Sequence, residues 1–420
     1  MRVGIVGGGI TGLALTHALA RIGVDSILFE REEIPGGIIR TREVEGRVLE
    51  LGPQRTRLAG GVRRLVEELG LESRVLVARP GARLFIWREG RLRTVPTSPV
   101  EALRSDLLSL SGRLRLLAEP LTGPLEDDES VAAYFRRKTG DEAYRALFGP
   151  LVSATFASDP ERMPARHSLP PILGPLGVRR SLLAAAHRRR ASGAPACTFR
   201  GGMRELPAAL AARHAGRVSL GTEVAALEAE GDGVTIRLEG GAGVAVDHVV
   251  VTTPAPVAAR LLEPVATAAS HRLAALAYHE VTTVHLAVPR TPEGFGFQVA
   301  FGESLRTRGV TWSASLFGRE PAAVAAYLGG GLDPEVCGWP DARAAEIAAE
   351  EYEEIHGVPA TALLVSRAAL PAWDGSWDRL DALPLPPFVH LAANYRARPG
   401  IAGRIAEAER LAADLAWSSG

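Results

Sequence analysis

Met1-Arg-Val-Gly-Ile-Val6-Gly7-Gly8-Gly9-Ile10-Thr11-Gly12 opens the chain, and an architecture can be worked out from it. The apolar run Val3 to Val6 has the continuous hydrophobicity of a parallel strand buried on both faces. Three glycines follow in the spacing Gly7-x-Gly9-x-x-Gly12. Ile10 to Ile22 then carries Leu13, Leu15, Ala18 and Leu19 on one side, as a packed helix does. In that spacing Gly7 permits a tight turn, Gly9 admits a pyrophosphate to the backbone, and Gly12 lets helix and sheet pack closely. The free N–H groups at the helix start carry about half a positive charge, which suits a diphosphate. A second strand, Ser26-Ile-Leu-Phe-Glu30, ends in a carboxylate about 20 residues further on, where an acid meets ribose hydroxyls. Strand, glycines, helix, strand and acid in this order predict a Rossmann-type α/β domain whose ligand is FAD.

Working outward, the glycine pair Gly36-Gly37 lets a loop run past the ribose and phosphates. Arg40 can neutralise phosphate, and Gly52-Pro53 would turn the chain toward the isoalloxazine. A plain hairpin with a solvated arginine is the alternative. With 420 residues the chain is too long for one ordinary core, so two or three domains are expected. Its 48 basic and 48 acidic residues cancel, which argues against nucleic acid as a partner. Cys197 and Cys337 fit neither a metal cluster nor a disulfide framework, and no His-x-x-x-His spacing suggests a metal site. No apolar stretch reaches the ~20 residues of a membrane span, and no signal-peptide pattern is present; a cytoplasmic protein is expected. Lys138 is the only lysine.

Further along, Leu65 to Leu71 predicts a helix capped by Gly70, and Arg83 to Pro96 predicts a hairpin around Arg88-Glu-Gly90-Arg91. From Val100 to about Arg190 the signals are helical. Ser130 to Lys138 is one helix, and Asp141 is the expected N-cap of another over Tyr144 to Phe148. The runs Arg179-Arg180 and His187-Arg-Arg-Arg190 suit an anionic membrane surface or an acidic substrate; a solvated helix face is the plainer reading. Strands are expected at Val218 to Leu227, Val234 to Leu238, Asp247 to Pro254, Thr282 to Val288, Gly309 to Ser315 and Phe388 to Ala393, with a last helix over Ile401 to Trp417. The nucleotide domain is therefore assembled from distant stretches. Expected are an FAD-binding domain from residues 1–80, 196–255 and 376–420, and a mixed-sheet substrate domain from 81–97 and 256–375. A helical insertion over 98–195 is the candidate membrane-facing region.

The chain resembles the FAD-dependent protoporphyrinogen/coproporphyrinogen oxidases of haem biosynthesis, within the flavin amine-oxidase superfamily, through essentially its full length. Glu50-Leu-Gly-Pro53, Gly149-Pro-Leu-Val-Ser-Ala-Thr-Phe-Ala-Ser-Asp-Pro160, Phe199-Arg-Gly-Gly-Met203 and Gly294-Phe-Gly-Phe297 carry the resemblance. Asn394-Tyr395 followed by Pro399-Gly400-Ile401 occupies the place of the family's C-terminal flavin-contacting segment. The chain departs from the family's pattern at Ile38, at Ala372-Trp373-Asp374-Gly375, at Gly403-Arg404-Ile405 and at Glu407-Ala408.

The resemblance implies Gly7, Gly9, Gly12, Glu30, Gly36, Gly37, Arg40, Gly52, Pro53, Val224, Asn394, Gly400 and Ile401 as FAD contacts. It implies Arg83 as the partner of a substrate propionate, and Phe295, Phe297, Val299 and Tyr327 as pocket lining; core packing explains each of these four equally well. It implies hydride transfer from a porphyrinogen ring carbon to the flavin, loss of a pyrrole proton, and reoxidation by dioxygen to hydrogen peroxide. No catalytic side chain is assigned, because the flavin performs the redox step. Peripheral membrane contact, a homodimer and handover to a ferrochelatase are the further partners it implies. Two other readings stand beside it. One is an amine oxidase or desaturase of the same superfamily; many amine oxidases hold a lysine against the flavin, and Lys138 lies far from any segment that would supply it. The other is a flavin- or porphyrin-binding protein that does not turn over.

Overall fold

A computed structural model of the chain describes residues 1–126, 128–174, 181–182, 193–396 and 400–417. Val3, Ile5 and Val6 are buried because β1 (Arg2–Val6) runs through the middle of a five-stranded parallel sheet. The strand order is Val218–Ser219, β2 (Asp25–Phe29), β1, His248–Val251, Val389–Leu391, with every pair parallel. One face of the sheet packs α1 (Ile10–Arg21) and the helix Ile401–Trp417, whose Ile405, Ala408, Leu411 and Leu415 meet Leu13, Leu15 and Leu19. Leu13, Leu15 and Leu19 are at most 1% exposed, and each such side chain contributes about 1.5–3 kcal/mol by leaving water. The other face packs a three-stranded antiparallel sheet (Val224–Glu230, Gly233–Leu238, Gly243–Val246) through Leu227, Ile236 and Val246.

A seven-stranded sheet lies elsewhere in the chain, in the order Thr361–Pro371, Tyr278–Ala287, Ala323–Gly329, Gly309–Thr311, Gly296–Val299, Leu84–Arg88, Arg91–Thr94. Its strands pair antiparallel except Gly296–Val299 with Leu84–Arg88. Alternation decides which side chains point where. Val324, Ala326 and Leu328 sit with Val284, Leu286 and Val310 under the helix Asp341–His356, and Tyr327 takes the opposite face.

Between these sheets in sequence come short helices, among them Pro99–Arg104, Leu110–Leu117 and Val131–Thr139. Each begins at a serine (Ser98, Ser109, Ser130) whose side chain accepts a backbone N–H three residues on. Lys138 is fully buried here and pairs with the equally buried Glu119 at 2.9 Å. No helix among the described residues is long and apolar enough to cross a membrane. The runs Arg179-Arg180 and His187 to Arg190 lie outside the described residues.

Four expectations change. Val218 to Leu227 is two strands: Val218–Ser219 pairs with β2, and Val224–Glu230 joins the antiparallel sheet after a turn through Gly221 at φ +63°. The alternation of Gly309 to Ser315 stops at Thr311, and Ser313–Phe317 is helical, opened by the Trp312 carbonyl accepting the Leu316 N–H at 3.0 Å. Gly140, not Asp141, precedes the short helix Asp141–Ala143; the Asp141 carboxylate accepts from Arg136 at 2.9 Å, and Tyr144–Phe148 forms a π-helical turn. The helix before Gly70 spans Gly60–Glu68, starting earlier than its apolar pattern suggests; Gly70 follows in the left-handed conformation at φ +67°.

Candidate cofactor and substrate site

The carboxyl ends of the parallel strands gather the glycine motif, Glu30, Thr252-Thr253 and the segment after Leu391, the place where open α/β sheets bind ligands. Gly7 turns at φ +111°, a conformation closed to most side chains, and its N–H donates to the Phe29 carbonyl at 2.8 Å. Gly12 packs against the Gly7 carbonyl so tightly that a Cβ would lie well inside 3.0 Å of it. Gly9 is different. It caps α1 in extended conformation, and a Cβ built there meets nothing within 4 Å. Open space in front of free helix N–H groups is what a diphosphate requires.

Both glycine clusters form one cradle. Gly9 and Gly36 are bridged as in a parallel ladder, the Gly36 N–H donates to the Gly8 carbonyl at 2.8 Å, and a Cβ on Gly37 would lie 3.3 Å from the Gly9 Cα. Gly52 packs on the Ile38 backbone and brings Pro53 to the same loop. The Glu30 carboxylate accepts the Gly8 and Glu32 N–H groups, which fixes it at the end of β2. Beside it the Thr222 N–H donates to the Glu30 carbonyl at 2.8 Å, while the Val224 side chain is in the core. Arg40 donates to the Pro35 carbonyl at 2.9 Å, so in this conformation it braces the glycine loop.

At the far end Gly400, at φ +88°, starts the helix Ile401–Trp417, and Ile401 is buried against α1's side of the sheet. Thr253 Oγ1 and Asn394 Oδ1 are out of water with no hydrogen-bond partner among the described residues. They follow adjacent strands, and buried polar atoms of that kind need a partner. The cradle and these two atoms fit a dinucleotide laid across the strand ends.

Two departures from the family's pattern meet in space. Trp373 and Trp377 stack with ring centroids 3.7 Å apart. Together with Tyr395, Gly403 and Glu407 they line an open pocket of about 580 Å³. Arg404 donates to the Ala393 carbonyl; burial pulls its pKa down to about 10, against the opposing charge of Glu407.

The expected substrate residues separate. Phe297 and Val299, 0% and 3% exposed, are core: Phe297 packs on Trp312 and His356 beneath the helix Asp341–His356, because alternation along Gly296–Val299 aims both inward. Arg83 is exposed and engaged by Glu101 at 2.9 and 3.4 Å. Hydrogen bonds from Arg83 and then Thr97 hold the Glu101 carboxyl down to about 2, so Arg83 is already neutralised. Phe295 and Tyr327 instead converge on Arg55, which no motif marks. Its guanidinium carbon sits 5.1 Å from the Phe295 ring centre, and it lies close enough to act on the Tyr327 phenol.

A family model described as flavin containing amine oxidoreductase matches residues 10–407. Among curated proteins the chain is similar to protoporphyrinogen oxidase 1, chloroplastic, of Arabidopsis thaliana, 29% identical over 352 residues covering 74% of this chain and 66% of that protein. It is also similar to coproporphyrinogen III oxidase of Bacillus subtilis (strain 168), 28% identical over 347 residues covering 74% of this chain and 72% of that one. The matched stretch thus spans about two thirds of the plant relative's length. A solved structure from Exiguobacterium sp. 255-15, which carries a provisional protoporphyrinogen oxidase assignment, superposes with a TM-score of 0.81 at 22% identity, covering 99% of this chain and 98% of that one. Cyclohexylamine oxidase from Brevibacterium oxydans IH-35A superposes with a TM-score of 0.72 at 16% identity over 99% of each chain, so the same fold serves amines.

Proposed function

The chain belongs to the flavin containing amine oxidoreductase family, and from that premise we propose that it is an FAD-dependent oxidase converting a porphyrinogen to the porphyrin in haem biosynthesis. Protoporphyrinogen IX and coproporphyrinogen III are the candidate substrates. The carrying observation is that curated porphyrinogen oxidases of both kinds match about three quarters of the chain.

When bound, FAD supplies the hydride acceptor and returns the electrons to dioxygen, which leaves as hydrogen peroxide. The protein's share is binding, orientation and exclusion of water. The α1 N–H groups behind Gly9 would hold the diphosphate, Glu30 the ribose hydroxyls, and Thr253 and Asn394 the polar edge of the ring system. A wide apolar macrocycle needs a broad apolar wall with few polar anchors, and Phe295 and Tyr327 supply part of one. The only lysine, which an amine-oxidase reading would call on, is Lys138, fully buried and paired with Glu119 at 2.9 Å. Anaerobic mixing of the flavin-loaded protein with each porphyrinogen should bleach the flavin's visible band, and air should restore it with release of porphyrin and peroxide. Failure of both substrates to bleach it would sink the proposal.

A further inference from the structure

We propose that Arg55 is the residue that grips a substrate carboxylate, forming with Phe295 and Tyr327 an anion-binding site beside the seven-stranded sheet. This rests on the porphyrinogen reading and gives it a polar anchor. Arg55 follows Gly52-Pro53-Gln54 and precedes the strand Thr56–Arg57. Gln54 secures this turn by donating to the Glu50 carbonyl at 2.7 Å and the Gly52 carbonyl at 3.3 Å, and it accepts from the Ser313 hydroxyl at 3.4 Å. One end of the segment therefore touches the cofactor cradle and the other meets the sheet.

Arg55 is partly buried, and among the described residues no carboxylate pairs with it. Glu50, five positions back, is committed elsewhere: it accepts from Thr41 at 2.7 Å and from the Met203 N–H at 2.9 Å, and it lies 3.7 Å from Arg319. The Tyr327 hydroxyl bonds Thr311 at 3.1 Å. Burial pulls the Arg55 pKa below the usual arginine range, and the Arg57 cation adds to the effect. The group is thus a partly buried cation with no carboxylate partner among the described residues, an arrangement that a bound anion relieves. A guanidinium held beside an aromatic ring still offers N–H groups for two-pronged contact with a carboxylate. Arg83, by contrast, already holds Glu101. The ligand class is a flat apolar body with a carboxylate at its edge, in which Phe295 meets the body and Arg55 the charge.

The test uses the flavin-loaded full chain, with coproporphyrin III and its uncharged tetramethyl ester as probes in fluorescence titrations. Wild type should bind the acid more tightly than the ester. Arg55→Gln should weaken acid binding roughly 10- to 100-fold, the range for losing a hydrogen bond to a charged group. It should raise KM for coproporphyrinogen more than it lowers kcat, and leave ester binding within about twofold of wild type. Arg55→Lys should recover part of the loss, and Arg83→Gln should move acid binding less than Arg55→Gln does. Unchanged acid affinity in Arg55→Gln, equal losses for acid and ester, or loss of FAD from that variant would each overturn the assignment. If Arg55→Gln does not fold, equal affinity of wild type for acid and ester overturns it without a variant. Wild type that binds neither probe removes the porphyrin reading and this inference together; a wild type that binds the acid beside an unaffected variant removes the inference alone.

Discussion

Gly9 and Gly12 stand three residues apart in one motif, yet the structure predicts opposite consequences for the same added methyl group. At Gly9 the backbone is at φ −69° and ψ 175°, open to alanine, and the methyl would meet nothing within 4 Å. Gly9→Ala should therefore leave the stability of the flavin-free protein within about 1 kcal/mol, as unfolded-state entropy and a poorer N-cap oppose each other. The methyl would occupy the space through which a diphosphate reaches the α1 N–H groups. Loss of one charge-assisted hydrogen bond costs about 1.5–3 kcal/mol, or roughly 10- to 100-fold in FAD affinity. At Gly12 the methyl would press into the Gly7 carbonyl, and a backbone atom cannot swing aside. Overpacking of about 1–3 kcal/mol exceeds the roughly 1 kcal/mol that alanine gains over glycine in a helix. Gly12→Ala should thus destabilise the protein before any ligand is added. Urea unfolding of both flavin-free variants and FAD titration followed by flavin fluorescence separate the two effects. A Gly9→Ala protein that binds FAD as tightly as wild type refutes the reasoning, as does a Gly12→Ala protein of undiminished stability.

Lys138→Met leaves Glu119 buried without its cation, although the Ser181 hydroxyl and the Leu182 N–H still donate to it, and should cost about 3–5 kcal/mol in denaturant unfolding, part of it recovered by a second change, Glu119→Leu. Flavin reduction by porphyrinogen in the double variant should match wild type; a lost reduction step in a folded protein would return the lysine to the chemistry. Burial holds the pKa of His214, His285, His356 and His390 at about 4, against about 6.5 in an unfolded chain. A depressed histidine favours the folded state fully above about 6.5 and loses that contribution as pH falls toward about 4. Glu50, raised by burial, has the opposite sign but is one group against four. Unfolding free energy should fall from pH 7 to pH 4.5, and a flat profile would contradict the burial of these rings.

The parallel sheet was legible because its signals are local. A short apolar strand, three glycines and a terminal acid lie within Val3 to Glu30, and the constraints each meets are set by near neighbours. Several of the failures required distant partners. Val218 to Leu227 reads as one β segment, and its division at Gly221 shows only in the partners, β2 for Val218–Ser219 and Gly233–Leu238 for Val224–Glu230. Phe297 and Phe295 are two residues apart, and only the helix Asp341–His356 decides that the first is core. The surroundings of the expected substrate residues were hidden for the same reason. Arginine fills all but one of the chain's 48 basic positions, so composition singles out none of them. What distinguishes Arg83 from Arg55 is a carboxylate, Glu101, on the helix after the hairpin. Pairing of side chains across a fold leaves no mark in spacing.

The strand order of the parallel sheet also governs when the protein can be loaded. His248–Val251 is flanked by β1 on one side and Val389–Leu391 on the other, so the sheet gains its outer strand only after residue 391 has left the ribosome. The glycine cradle is synthesised long before the wall bearing Asn394. Contacts of such long sequence separation form slowly, because the intervening chain must be closed into a loop first. A nascent chain therefore carries the glycine cradle without the segment bearing Asn394 until that segment has been made.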